Sequence, residues 1–132
     1  MSEMVILDTH IWFWLINGSF ERFPTQWLEQ IWQADVVAVS SISCYEVALA
    51  HNKGRLVIHI PLQEWLTDSL IPAGIELLPL TPEITVRAVN LSPIHKDPFD
   101  RLIIATALEY EAKLASVDNL FSKYPELEDH LM

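Results

Sequence analysis

Five acids in this chain have the types and positions to do chemistry together: Asp8, Glu46, Asp97, Asp100 and Asp118. Asp8 ends the aliphatic run Val5-Ile6-Leu7, and Asp118 ends Leu114-Ala115-Ser116-Val117. Each run reads as a buried parallel strand that stops at a carboxylate. Glu46 and Asp100 read as residues in the first turns of helices. In open α/β sheets ligands sit in the crevice beyond the carboxyl ends of the strands, and all of these positions belong to that edge. Carboxylates a few ångströms apart repel by kilocalories unless something compensates, so a fold that gathers four of them implies a counter-ion. Oxygen-only ligands in this number suit Mg²⁺ or Mn²⁺, with waters and substrate phosphates completing the shell. Zinc is disfavoured, because no Cys/His set has ligand spacing. His10 and His95 flank the acids and read as polar supports. A metal crevice of this kind suits phosphodiester hydrolysis, in which the metal makes water a nucleophile and steadies the leaving oxygen.

Each acid taken alone also has a structural explanation. Asp8 can cap the first helix, and Asp118 the last. Ser43 to Glu46 fits a capping box. Asp97 before Pro98 reads as an N-cap followed by proline at the first helical position. Asp100 lies where a helix dipole favours an anion. The weight of the metal reading comes from the joint pattern, in which residues from distant parts of the chain share one edge.

The elements that must position these acids alternate. Strands are expected over residues 4–7, 36–39, 75–78 and 114–117, and the last of these leads into Asp118. Helices are expected at 9–17, after Pro24, from the serines at 40–43 to Gly54, after Pro61, after Pro82, and behind Asp97-Pro98-Phe99-Asp100. The second helix carries Trp27, Leu28, Ile31 and Trp32 on one apolar face, and the sixth carries Phe99, Ile103, Ala107 and Tyr110. A short helix or extended tail finishes the chain. Alternation of this kind implies a three-layer α/β/α sandwich with a central parallel sheet of about four or five strands and right-handed crossovers.

Size and composition agree. The 132 residues are enough for one domain with one good core, and 51% are apolar, with only 3 Gly and 8 Pro. Net charge is −10, from 18 acids against 8 bases, which excludes an indiscriminate nucleic-acid coat and fits a cation site or a basic partner protein. Of the few bases, Lys53 and Arg55 lie near Glu46 in sequence, and Lys96 and Arg101 bracket Asp97 and Asp100. They read either as guides for a phosphate backbone or as ordinary surface charge. The single cysteine, Cys44, excludes an internal disulfide and fits the cytosol. No signal peptide is visible, and the apolar run 11–16 is too short to span a bilayer. Trp12, Trp14 and Phe13 crowd the first helix, as core or subunit interface or as stacking platforms for bases.

The acids in this order resemble the PIN-domain family, in particular VapC-like toxins of bacterial toxin–antitoxin pairs. The matching blocks are Val5-Ile6-Leu7-Asp8-Thr9-His10, Ser41-Ile42-Ser43-Cys44-Tyr45-Glu46, His95-Lys96-Asp97-Pro98-Phe99-Asp100-Arg101-Leu102-Ile103-Ile104-Ala105 and Leu114-Ala115-Ser116-Val117-Asp118. The third block is the most specific, and together they span essentially the whole chain. The resemblance implies a Mg²⁺- or Mn²⁺-dependent ribonuclease acting on RNA, neutralised by a small antitoxin and commonly homodimeric. It matches Asp8, Glu46, Asp100 and Asp118 to the metal-site acids. Thr9 and Ser116 are expected as supports, Ser116 standing where the family has Thr or Ser before the last acid. Asp97 is an extra acid that competes with Asp100 for the third place. Trp12, Trp14, Trp27 and Trp32 are expected at a dimer or antitoxin contact.

Two other classes of protein also place aspartates at strand ends. A receiver-like phosphoacceptor wants paired acids after the first strand and a lysine after the last, and a dehalogenase-type phosphatase wants Asp-x-Asp. Asp8-Thr9-His10 supplies neither, and Asp118 stands at the last strand's exit. A catalytically silent binding module of the same fold remains the alternative, although all four acids are present.

Overall fold

The computed structural model describes residues 3–132. Four strands, β1 (Met4–Leu7), β2 (Val36–Ser40), β3 (Ile75–Leu78) and β4 (Lys113–Ala115), form one parallel sheet in the order β3-β2-β1-β4. Six helices flank it: α1 (Thr9–Ile16), α2 (Gln26–Gln33), α3 (Ser41–Asn52), α4 (Leu62–Asp68), α5 (Pro82–Asn90) and α6 (Pro98–Glu109). This is the expected α/β architecture, at the lower end of the expected strand number.

The pleat divides the core. Val5 and Leu7 point to one face of β1 and Ile6 to the other, because successive side chains on a strand alternate. With Val39 and Ile75, Val5 and Leu7 meet Ile11, Trp12 and Leu15 of α1, Ile31 of α2 and Val47 of α3. Ile6, Ala38, Leu78 and Leu114 meet Ile103, Ile104 and Ala107 of α6, with Phe121, Tyr124 and Leu127 from the C-terminal segment. Trp12 is fully buried and its indole N–H donates to the Ser69 carbonyl at 2.9 Å, so of the expected roles it has that of a core residue. Trp32 leaves the expected apolar face of α2 and is 65% exposed. Tyr110 and Phe99 likewise lie outside the buried stripe of α6, which runs through Ile103, Ile104 and Ala107.

Two boundaries differ from expectation in ways that matter. Helix α3 starts at Ser41, because Ser40 is its N-cap, with its side chain accepting from the Ile42 N–H at 3.2 Å. Ser43 and Glu46 are therefore inside the helix and form no capping box, and Glu46 lies beyond the first turn. Strand β4 ends at Ala115, not at residue 117, and residues 116–118 leave the ladder at the sheet's edge. The end of the chain, expected as a short helix or an extended tail, is two single 3-10 turns, Phe121–Lys123 and Pro125–Leu127, followed by a bridge from Leu131 to Leu114.

The strand order fixes where a site can lie. From β1 the chain steps to β2 on one side, and β4 closes against β1 on the other. The loops leaving β1 and β4 diverge there, and that switch point opens the crevice at the carboxyl edge.

Candidate active site

Asp8 sits at this switch point, as both the residue after β1 and the N-cap of α1. It is 8% exposed. Its Oδ1 accepts from the Thr9 N–H at 2.8 Å and its Oδ2 from the Ser116 hydroxyl at 2.8 Å. Burial raises its pKa above the ordinary aspartate value, against the lowering effect of these hydrogen bonds.

Thr9 carries the next connection. Its hydroxyl donates to Glu46 Oε1 at 2.6 Å, and Ser43 Oγ lies 2.8 Å from that Thr9 hydroxyl oxygen. A hydroxyl has one proton, so Thr9 donates to Glu46 and accepts from Ser43. Ser43 was not anticipated in this role. It precedes Glu46 by one helical turn, which puts both on the face of α3 that meets α1, and that spacing was the signal for it. Tyr45 and Phe99 meet edge-on with ring centroids 5.5 Å apart, tying α3 to α6 beside the site.

Asp97 and Asp100 do different things. Asp97 is exposed and caps α6, with Oδ1 accepting from the Phe99 N–H at 2.9 Å. Asp100, one turn on, points inward, with Oδ2 3.5 Å from His95 Nε2. Asp118 follows β4. Its Oδ1 accepts from the Leu120 N–H at 2.9 Å, and its Oδ2 lies 3.0 Å from the same His95 nitrogen. His95, Asp100 and Asp118 offer ligand atoms within 4.8 Å of one another.

Asp8, Glu46, Asp97, Asp100 and Asp118 line one crevice of about 350 Å³, walled by His10, Trp14 and Val117. No lysine or arginine lines it. The electrostatic consequence is large. Burial first, then the charges of Asp8 and Asp97, push the Glu46 carboxyl up to about 7. Burial and the charges of Asp8, Asp97, Glu46 and Asp118 push Asp100 to about 8. Hard oxygen donors held together without a protein cation are the donor set a divalent metal ion neutralises, so these residues fit one.

The bases differ in what they face. Lys53 and Arg55 line an adjoining cavity of about 330 Å³ with Phe13, Leu49, Leu56 and Phe99, and it shares His10, Glu46 and Asp97 with the acidic crevice. Gly54 between them has φ 74°, a left-handed turn that a side chain resists. Lys96 is exposed. Arg101, expected with these as a phosphate guide or as ordinary surface charge, is engaged with backbone carbonyls. Its Nη1 donates to the Ser92 and His95 carbonyls (2.9 and 3.2 Å) and its Nη2 to those of Val89 and Leu91 (3.3 and 2.9 Å). The guanidinium is committed to holding the loop before α6. Arg22, not anticipated, lies over Trp14 with its guanidinium carbon 5.8 Å from the ring centroid.

The chain belongs to the PIN domain family, whose model matches residues 5–127. Among individual proteins, the chain is 33% identical over 115 residues to Ribonuclease VapC22 of Mycobacterium tuberculosis (strain ATCC 25618 / H37Rv), covering 86% of each. Solved structures share its fold, among them two toxin–antitoxin or VapBC assemblies. One is VapBC2 from Rickettsia felis bound to a DNA fragment from its promoter (TM-score 0.71, 20% identity, 98% of this chain and 97% of that one). The other is a toxin–antitoxin complex from Klebsiella pneumoniae (TM-score 0.61, 19% identity, 97% and 95%). Among the described residues no helix is long and apolar enough to cross a membrane.

Proposed function

We propose that this chain is a Mg²⁺- or Mn²⁺-dependent endoribonuclease, the toxin of a toxin–antitoxin pair, and that its 132 residues work as one PIN domain. The observation that carries the reading is the crevice in which Asp8, Glu46, Asp100 and Asp118 meet without a lysine or arginine. The 33% identity to a protein named a ribonuclease supports the reaction class.

In this reading Asp8, Glu46, Asp100 and Asp118 hold the cation. Asp97 stays at the rim, because its Oδ1 is engaged by the helix it caps. When bound, the cation supplies activation of water and neutralises charge on the scissile phosphate. The chain's own part is positioning. Ser116 fixes one Asp8 oxygen and leaves the carboxylate aimed from the end of β1. Thr9 fixes one Glu46 oxygen and leaves the other free. Lys53 and Arg55 guide the phosphate backbone along the adjoining cavity, helped by the exposed Lys96; elsewhere the net charge of −10 repels RNA.

The partners follow the same reading: RNA as substrate, a small antitoxin, and a second copy of the chain. The two structural relatives are toxin–antitoxin or VapBC assemblies, which supports the antitoxin. Action in the cytoplasm accords with the single cysteine.

The test is to incubate the purified chain, freed of antitoxin, with total RNA and a tRNA pool in Mg²⁺, Mn²⁺ or chelator, beside Asp8→Asn. Metal-dependent cuts that vanish in the variant are expected. Equal cutting by both proteins would assign the activity to a contaminant. No cutting, with metal bound, would leave a binding module.

A further inference from the structure

His95 is built into the protein from three sides. Its backbone N–H donates to the Tyr124 hydroxyl at 2.8 Å, and its carbonyl accepts from Arg101 Nη1 at 3.2 Å. Its ring, with 3% of the side chain exposed, lies edge-to-face between Phe121 and Tyr124, centroids 5.2 and 5.8 Å away. Held in this way, the ring presents one nitrogen to the acidic crevice. Nε2 lies 3.0 Å from Asp118 Oδ2 and 3.5 Å from Asp100 Oδ2. The other nitrogen, Nδ1, is buried and has no hydrogen-bond partner.

These contacts choose a tautomer. A nitrogen facing two carboxylate oxygens carries a proton, whereas a buried N–H with no acceptor is costly, so the proton belongs on Nε2 and Nδ1 stays bare. An Nε2 that carries hydrogen donates and does not ligate. Asp100 comes from α6 and Asp118 from the segment after β4, so their side chains reach His95 from two separate elements. The imidazole Nε2 is hydrogen-bonded to Asp118 and stands 3.5 Å from Asp100.

We propose that His95 is a positioning residue for the metal centre. Its Nε2–H joins the carboxylates of Asp100 and Asp118 and sets their spacing before a cation arrives. The proposal rests on the metal reading of the site given above. Hydrogen-bond partners behind metal ligands are worth roughly 10–100-fold in metal affinity, and they act by orienting the ligands.

The experiment compares wild type, His95→Leu and His95→Gln. Leucine keeps bulk and removes the donor; glutamine keeps an N–H at similar reach. Mn²⁺ affinity is read by titration calorimetry and folding by thermal denaturation, with no RNA present. His95→Leu should bind Mn²⁺ roughly 10–100-fold more weakly, and His95→Gln should recover most of that loss. In wild type saturated with diamagnetic Mg²⁺, ¹⁵N-detected NMR should still find the proton on Nε2. Wild-type affinity in His95→Leu would overturn the proposal, as would a glutamine variant as weak as the leucine one. Loss of the Nε2 proton on Mg²⁺ binding would also overturn it and make His95 a ligand. That NMR result is independent of whether either variant folds. If wild type binds neither cation, the metal reading itself fails, and the role of His95 falls with it.

Discussion

Ser116 and Asp8 stand 108 positions apart in sequence and meet at 2.8 Å, the serine hydroxyl donating to Asp8 Oδ2. The contact exists because β4 pairs with β1 only as far as Ala115, so the next residue turns out of the ladder beside the end of β1. The same Ser116 oxygen accepts from the Asp118 N–H at 3.1 Å. One side chain therefore sets the relation between the first and last acids. Ser116→Ala should lower Mn²⁺ affinity roughly 10-fold or more, while Ser116→Thr should stay near wild type. Titration calorimetry reads both.

Thr9 does the equivalent work for Glu46. Thr9→Val keeps the shape but removes the donor to Glu46 and the acceptor for Ser43, which is fully buried. The buried hydroxyl left unpaired should reduce stability by about 1–3 kcal/mol, and RNA cleavage should fall further than that loss explains. Thr9→Ser should restore both. Chemical denaturation beside the cleavage assay separates the two effects.

Asp97 and Asp100 should separate cleanly in activity. Asn is as good a helix cap as Asp, so Asp97→Asn should keep the fold and most of the cleavage. Asp100→Asn should abolish cleavage. Equal losses would place Asp97 at the metal and overturn the assignment made from geometry.

The pH dependence of the metal-free chain should run opposite to that of an ordinary salt-bridged protein. Glu46 is raised from 4.5 to about 7 and Asp100 from 3.8 to about 8. Between the unfolded and folded values the folded chain binds more protons than the unfolded one, so stability falls as pH rises across that window. It is retained below about pH 4 and lost through pH 7–8 as the crowded carboxyls ionise. A divalent cation binds the ionised forms, so its stabilisation should grow over the same range. Melting curves in chelator and in saturating Mn²⁺, from pH 5 to pH 8, should diverge. Parallel curves would rule out a cation among these acids.

Arg101 and the pair Lys53 and Arg55 should fail differently. Lysine cannot reproduce the fork that meets four carbonyls, so Arg101→Lys should cost about 2 kcal/mol or more of stability. Lys53→Glu with Arg55→Glu should leave the melting temperature within a degree or two and weaken RNA cleavage, more so at low salt.

Much of this site was legible in one dimension. Val5-Ile6-Leu7 ending in Asp8, the Asp97-Pro98 cap and the alternation of strands with helices are local patterns, and local pattern is what strand burial and helix capping obey. The class of fold and the edge where the acids gather followed from them. Local pattern also misled where tertiary contacts overrode it. Ser43 looked like a cap three residues before Glu46, but Ser40 caps the helix and Ser43 turns inward to Thr9. Arg101 looked like a free cation beside acids, and only the folded loop shows the carbonyls that occupy it.

The sequence by itself determined which chemistry was available: carboxylates at strand exits, oxygen donors of the kind hard metals take, and too little positive charge for an indiscriminate nucleic-acid coat. Tertiary structure alone decided which acids face one another, which of Asp97 and Asp100 turns inward, and that His95 faces both Asp100 and Asp118. The reason is physical. Residue type and short-range periodicity fix burial and caps, whereas the orientation of a side chain across 23 or 108 positions depends on strand order and on where each ladder ends.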